Sequence, residues 1–94
     1  MDLKIPYKNF TDAQSAYQKV QGVLRSQGIE GLPVRPDFEF YDDLKMVKAK
    51  GKGFELKANF QADALIIELQ LGLLFKAFKE GVLKKIETKL KNLV

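Results

Sequence analysis

The chain has 94 residues, of which 46% are hydrophobic and 30% charged, which suits one folded domain and is too short for two. It contains neither cysteine nor histidine, and this excludes disulfides, thiolate metal sites and the commonest general base. The formal net charge is +4, and the whole excess falls in residues 73–94, where six lysines outnumber two glutamates.

The first two predicted elements are a short strand and a helix. Residues 2–8 alternate apolar and polar side chains, and Pro6 favours an edge strand or a strand end because it has no N–H group. A helix is predicted over residues 12–27, where apolar residues recur at helical spacing. Thr11 and Gln14 are spaced as a capping box, and Gly28 is a typical helix stop.

Four antiparallel strands are predicted next. The connection at residues 28–37 is rich in Gly and Pro, and its spacing matches no nucleotide-binding motif. From Asp37 the apolar period becomes two, which predicts strands at 37–41, 44–50, 54–60 and 64–71, joined by turns at 42–43, 51–53 and 61–63. The result is an antiparallel meander with one strongly apolar face, and we place Tyr41, Val47 and Ile66 on the other face.

A long amphipathic helix is predicted over residues 74–92. Its apolar stripe consists of Phe75, Phe78, Val82, Ile86, Leu90 and Leu93. The opposite side carries Lys76, Glu80, Lys84, Glu87 and Lys91. The element order is therefore β-α-β-β-β-β-α, an α+β fold with both helices packed on one face of the meander, somewhat like a shortened helix-grip fold in a single domain of residues 1–94.

Residues suited to catalysis are scarce. The aliphatic hydroxyls are limited to Thr11, Ser15, Ser26 and Thr88, and the pair Ser15 and Lys19 is typical of a solvated helix face. Asp42 and Asp43 are adjacent on a turn, whereas glycoside hydrolysis needs two carboxyl groups that face each other across a cleft. We therefore expect a protein that is not an enzyme and that has no metal site and no cofactor.

Localisation is inferred from what the chain lacks. Asp2, Lys4 and Lys8 interrupt any apolar run that could form a signal-peptide core. Uncharged apolar stretches are only a few residues long, far below the roughly 20 that cross a bilayer. We expect no transmembrane segment and a cytoplasmic protein.

The second half of the chain resembles a bacterial family. Residues 44–60 (LKMVKAKGKGFELKANF) and 65–94 are similar to the polyhydroxyalkanoic acid system proteins, also described as polyhydroxyalkanoate granule-associated proteins. The resemblance depends on Gly51 and Gly53 in a turn, on the Leu-Gly-Leu-Leu element at 71–74, and on Phe78-Lys79 in the closing helix. It implies a role in storage-polymer metabolism.

Four functions are considered at this point. The first is a non-catalytic accessory protein that binds a polyhydroxyalkanoate granule or its coat proteins through Phe75, Lys76, Lys84 and Lys91, although the stripe beside these lysines is also needed to cover the sheet. The second is a small lipid- or acyl-binding domain with a cavity lined by Phe38, Phe40, Phe54, Phe60, Ile67 and Phe78. The third, nucleic-acid binding, is not expected because only two of sixteen basic residues are arginine and no binding motif is present. The fourth is a homo-oligomeric interaction module that uses Tyr41, Val47 and Ile66.

Overall fold

The computed structural model describes residues 2–32 and 35–94. The elements in chain order are β1 (Leu3–Pro6), α1 (Ala13–Ser26), β2 (Asp37–Tyr41), β3 (Met46–Gly51), β4 (Phe54–Phe60), β5 (Ala64–Leu71), a 3-10 turn (Lys76–Phe78) and α2 (Lys79–Lys91). The predicted α+β class and the order β-α-β-β-β-β-α are confirmed.

The five strands form one antiparallel sheet in the order β1-β5-β4-β3-β2. Strands β2 to β5 make the predicted meander, and β1 adds to its β5 side. Pro6 is the last residue of β1, so it lies both in an edge strand and at a strand end, as predicted.

Both helices pack on the same face of the sheet. The core joins residues of α1 and α2 to alternate residues of the strands; the Tyr17 ring of α1, for example, meets the Phe60 ring edge-on at 5.5 Å between centroids. Val47 belongs to this covered face and is completely buried, so its assignment to the outer face is wrong. The cause is register: Val47 pairs with Ala58, which in turn pairs with Ile67, and residues paired across a sheet share a face.

Helix α1 begins and ends close to the predicted residues. Its N-cap is Asp12, not Thr11: Asp12 Oδ1 accepts the Ser15 backbone N–H at 2.7 Å, and Ser15 Oγ donates to Oδ2 at 3.1 Å. The Thr11–Gln14 capping box is therefore wrong by one position, because a carboxylate is a stronger acceptor than a hydroxyl. Gly28 ends the helix with a φ of +67°, and its N–H donates to Leu24 O at 3.1 Å.

Helix α2 begins later than predicted. The chain turns at Gly72 and makes the 3-10 turn first, with Phe78 N–H donating to Phe75 O at 2.9 Å. Val82, Ile86 and Leu90 are buried as predicted, whereas Phe78 is 62% exposed. The 3-10 turn has three residues per turn instead of the 3.6 of an α-helix, and this displaces Phe78 from the predicted stripe.

Candidate functional site: an apolar tip before helix α2

Three large apolar side chains lie in solvent where β5 leads into α2. Leu73 is 92% exposed, Leu74 80% and Phe78 62%. We call Leu73, Leu74 and Phe78 the apolar tip. Single exposed apolar residues are ordinary, but a cluster of large ones within six positions is typical of an interaction surface.

A close contact between two glycines positions the tip. Gly72 N–H donates to Gly53 O at 2.9 Å, and a Cβ on Gly72 would lie 3.3 Å from Gly53 Cα. Gly53 itself has a φ of +72°, which L side chains rarely adopt. The end of β5 is thereby fixed against the β3–β4 turn, and Leu73 and Leu74 follow directly.

Phe75 connects the apolar tip to the β3–β4 turn. Its ring packs against Gly53, where an added Cβ would be 3.4 Å from two ring carbons. The Phe75 N–H donates to Gly72 O at 3.0 Å, and Phe75 O accepts from Phe78 N–H. The exposed side chains therefore extend from a hydrogen-bonded backbone.

Lysines accompany the apolar tip. Lys76 is exposed and begins the 3-10 turn, and Lys52 is exposed in the β3–β4 turn beside Gly53. Lys79 Nζ lies 3.1 Å from Asp2 Oδ1. A basic and apolar surface of this composition suits a partner that is apolar and anionic.

Asp2, the residue that pairs with Lys79, also joins the N-terminal segment to the sheet. Asp2 Oδ2 accepts the Leu69 N–H at 2.7 Å. This backbone hydrogen bond, together with Lys79, lowers the pKa of Asp2 below its ordinary value against a smaller opposing effect of burial. The first residue of α2 is thus tied to residue 2 and through it to β5.

The structure divides the predicted binding residues into two groups. Phe75 and Lys76 lie beside the apolar tip. Lys84 and Lys91 are exposed on the solvent side of α2, and Lys84 is at least about 12 Å from Lys76 along the helix axis. Each of these two lysines follows a glutamate by four residues, a pattern that stabilises a solvated helix face.

The apolar tip was missed in the sequence because Leu73 and Leu74 fall outside the predicted stripe and Phe78 falls inside it. A signal was present in the run Leu73-Leu74-Phe75. Three consecutive residues cover about 200° of a helix, which is wider than one stripe can bury. At least one of them had to lie outside the core.

Of the six residues proposed to line an interior cavity, five belong to the core or pack against it, and Phe78 does not. Phe54, Phe60 and Ile67 are buried in the core at 5% exposure or less. Phe38 and Phe40 stack at 6.3 Å between centroids and are half-buried. Phe78 is on the outside.

Ser15 and Asp42, two of the residues considered for catalysis, have structural partners. Ser15 is bonded to the Asp12 cap. Asp42 Oδ1 accepts from the Tyr17 hydroxyl at 2.6 Å and from Gln21 Nε2 at 3.1 Å, which ties the β2–β3 turn to α1. Within residues 2–32 and 35–94, no group of three or more carboxylates is placed to hold a metal ion, and no helix is long and apolar enough to cross a membrane.

No match is found when the chain is compared with protein-family models, with curated proteins and with solved structures. What the apolar tip binds is therefore inferred from its own side chains and from the resemblance of residues 44–60 and 65–94 described above.

Proposed function

We propose that this chain is a non-catalytic accessory protein of the cytoplasm that binds the surface of a polyhydroxyalkanoate granule through the apolar tip. The observation that carries the proposal is the exposure of Leu73, Leu74 and Phe78 on an ordered backbone beside lysines. The choice of granule comes from the family resemblance, in which the Leu-Gly-Leu-Leu element at 71–74 and Phe78-Lys79 are the matching features.

The tip has enough apolar surface to contribute measurably to binding. Burial of one leucine or phenylalanine side chain is worth about 1.5–3 kcal/mol. A lysine near an anionic surface adds about 1 kcal/mol. Partial insertion of the two leucines, with Lys52 and Lys76 against an anionic layer, therefore favours reversible binding that depends on both the apolar residues and salt.

Co-sedimentation with purified granules tests the proposal. We expect the wild-type chain to sediment with native granules, and the double variant Leu73→Ser/Leu74→Ser to lose at least tenfold in affinity, because 1.4 kcal/mol corresponds to tenfold. The matched control is Leu44→Ser. Leu44 is 66% exposed in the β2–β3 turn, away from the tip, and its loss should leave binding unchanged.

A second pair of variants separates the two groups of predicted residues. Lys76→Glu changes a residue beside the tip and should weaken binding, whereas Lys84→Glu/Lys91→Glu changes residues further along α2 and should have a smaller effect. Equal loss from both would assign the contact to general positive charge and would count against the tip.

Protease-treated granules show whether the chain binds the granule surface itself or a coat protein on it. Binding that survives removal of the coat proteins supports direct contact with the granule surface. Binding that disappears with the coat proteins would assign the partner to them. No sedimentation with either preparation, with binding to anionic vesicles or RNA instead, would contradict the granule proposal.

A further inference from the structure

A groove runs along one flank of α2. It has a volume of about 580 Å³, within the range of small-molecule sites. Its apolar walls are formed by Gly31, Phe75, Ala77, Phe78, Gly81 and Val82. These walls offer few polar side-chain atoms, so a hydrocarbon chain fits them better than a polar ring, whose own polar atoms would lack partners.

Lys85 lies at the Gly31 side of the groove. Its Nζ donates to Gly31 O at 2.8 Å, and its side chain passes so close that a Cβ on Gly31 would be 3.1 Å from Lys85 Cδ. An ammonium group has three N–H donors. With one used by Gly31, two remain for an anionic ligand.

The charges around Lys85 favour an anion. Lys84 and Lys89 are within four residues on the same helix, and Lys89 Nζ donates to Gln27 Oε1 at 3.0 Å. Glu30 adjoins Lys84 and Lys85 in a neighbouring hollow, and Glu80 lines the groove itself, so three lysines stand against two carboxylates. Glu80 precedes Lys85 by five residues, about 7.5 Å along the helix axis.

We infer that this groove binds a single-chain fatty carboxylate, with the carboxylate at Lys85 and the hydrocarbon chain along Gly81 and Val82 towards Phe78. The site differs from the interior cavity considered in the sequence, because it lies on the flank of α2 outside the packed core. It shares Phe78 with the apolar tip but does not need Leu73 or Leu74, and it does not depend on the proposed granule binding.

Titration of the full ¹⁵N-labelled chain with dodecanoate, below its micelle concentration, tests the inference. We expect the amide signals of Gly31, Phe78, Gly81 and Lys85 to shift with saturation, while that of Gly22 in α1 stays in place. Dodecyltrimethylammonium, with the same chain length and the opposite charge, should bind at least tenfold more weakly. Equal affinity for the two head groups, or shifts confined to other residues, would overturn the inference.

Two glycines supply a matched pair of variants. A Cβ at Gly81 or at Gly22 meets no atom within 4 Å, so a side chain can begin at either position without a clash. Gly81→Leu fills the groove and should raise the dissociation constant for dodecanoate at least tenfold. Gly22→Leu should leave it unchanged. Wild-type affinity in Gly81→Leu would contradict the site.

The tip variant separates this inference from the proposed function. Leu73→Ser/Leu74→Ser should bind dodecanoate like the wild type while it loses granule binding. The spectra of each variant also report whether it is folded, so a loss of binding is attributed to the groove only when the remaining signals are unchanged.

Discussion

Two tyrosine hydroxyl groups join distant parts of the chain through short hydrogen bonds. Tyr7 donates to Gln61 O and Tyr17 donates to Asp42 Oδ1, each at 2.6 Å. Desolvation is the main reason why the pKa values of both tyrosines are raised. It raises the pKa of Tyr7 to about 12, and the charges of Asp63 and Asp12 add to the effect. The pKa of Tyr17 is raised by desolvation and, in addition, by the hydrogen bond to Asp42. Since the unfolded value is about 10, this stability is fully present below pH 10 and is lost as the pH rises through the folded-state values.

Removal of the Tyr17 hydroxyl should therefore have a pH-dependent cost. Tyr17→Phe should lower the free energy of unfolding by about 1.5–3 kcal/mol at pH 7, since the bond is to a charged group, and the difference from wild type should shrink at pH 11. Urea unfolding at the two pH values measures it. Tyr41→Phe is the control, because the Tyr41 hydroxyl makes only a 3.3 Å contact with Glu39. A wild-type stability for Tyr17→Phe at pH 7 would contradict the role given to this bond.

At acidic pH, the contribution of Asp2 to stability should show the opposite pH dependence. Its lowered folded-state pKa means that its stability is present above the unfolded value of about 3.9 and is lost as the pH falls through the folded value. Asp2→Asn should be less stable than wild type at pH 7, and the difference in the free energy of unfolding should shrink as the pH falls below the unfolded value. The free energy of unfolding of each chain, measured as a function of pH, checks this, with Asp43→Asn in the exposed β2–β3 turn as control. A difference between wild type and Asp2→Asn that stays constant with pH would contradict the role given to the charge of Asp2.

At the scale of elements, glycines in helices and in turns should respond oppositely to substitution. Gly81 in α2 is in open space, so Gly81→Ala should stabilise the chain by about 0.5–1 kcal/mol through helix propensity. Gly72→Ala places a Cβ 3.3 Å from Gly53 Cα and should destabilise it, because backbone cannot give way as a flexible side chain can. Thermal unfolding of both variants checks the two signs, and a stabilised Gly72→Ala would mean that the contact between the two glycines is looser than described.

The elements that the sequence predicts well are those with a clean period. Strand β4 alternates strictly, and the buried residues of α2 recur every four positions, so their faces follow from local pattern. The start of α2 did not follow, because a 3-10 turn is set by the contact of Gly72 with Gly53, nineteen positions away in the chain. The face of the sheet on which Val47 lies also depends on cross-strand register, which the sequence of one strand does not predict.

The candidate site was predictable only in part for the same reason. The sequence predicts Phe75, Lys76, Lys84 and Lys91 as binding residues, and the first two lie beside the apolar tip. The family resemblance singles out Leu73 and Leu74 but gives them no position in space, and the helical period places Phe78 in the apolar stripe. Their exposure depends on where the chain leaves β5, which is a property of the folded sheet.

At the scale of the whole molecule, the exposed large apolar side chains of residues 2–32 and 35–94 lie at opposite ends of one hairpin. The apolar tip adjoins the β3–β4 turn, and Leu44 is in the turn that precedes β3; the six residues of β3 separate the two by about 20 Å. Only the tip end combines several large apolar residues with Lys52 and Lys76. Binding to a surface should therefore orient the molecule with the β3–β4 turn towards the surface and the β2–β3 turn away from it.

The central claim, that the apolar tip is the part of the chain that contacts the surface, is tested most directly by a fluorescent reporter. The chain contains no tryptophan, so Leu74→Trp and Leu44→Trp each introduce a single fluorophore at an exposed position. On addition of polyhydroxyalkanoate granules, we predict that the emission of Leu74→Trp shifts to the blue and is shielded from aqueous quencher, while that of Leu44→Trp does not change. A blue shift for Leu44→Trp with none for Leu74→Trp, or no shift for either in a chain that sediments with granules, would contradict the claim.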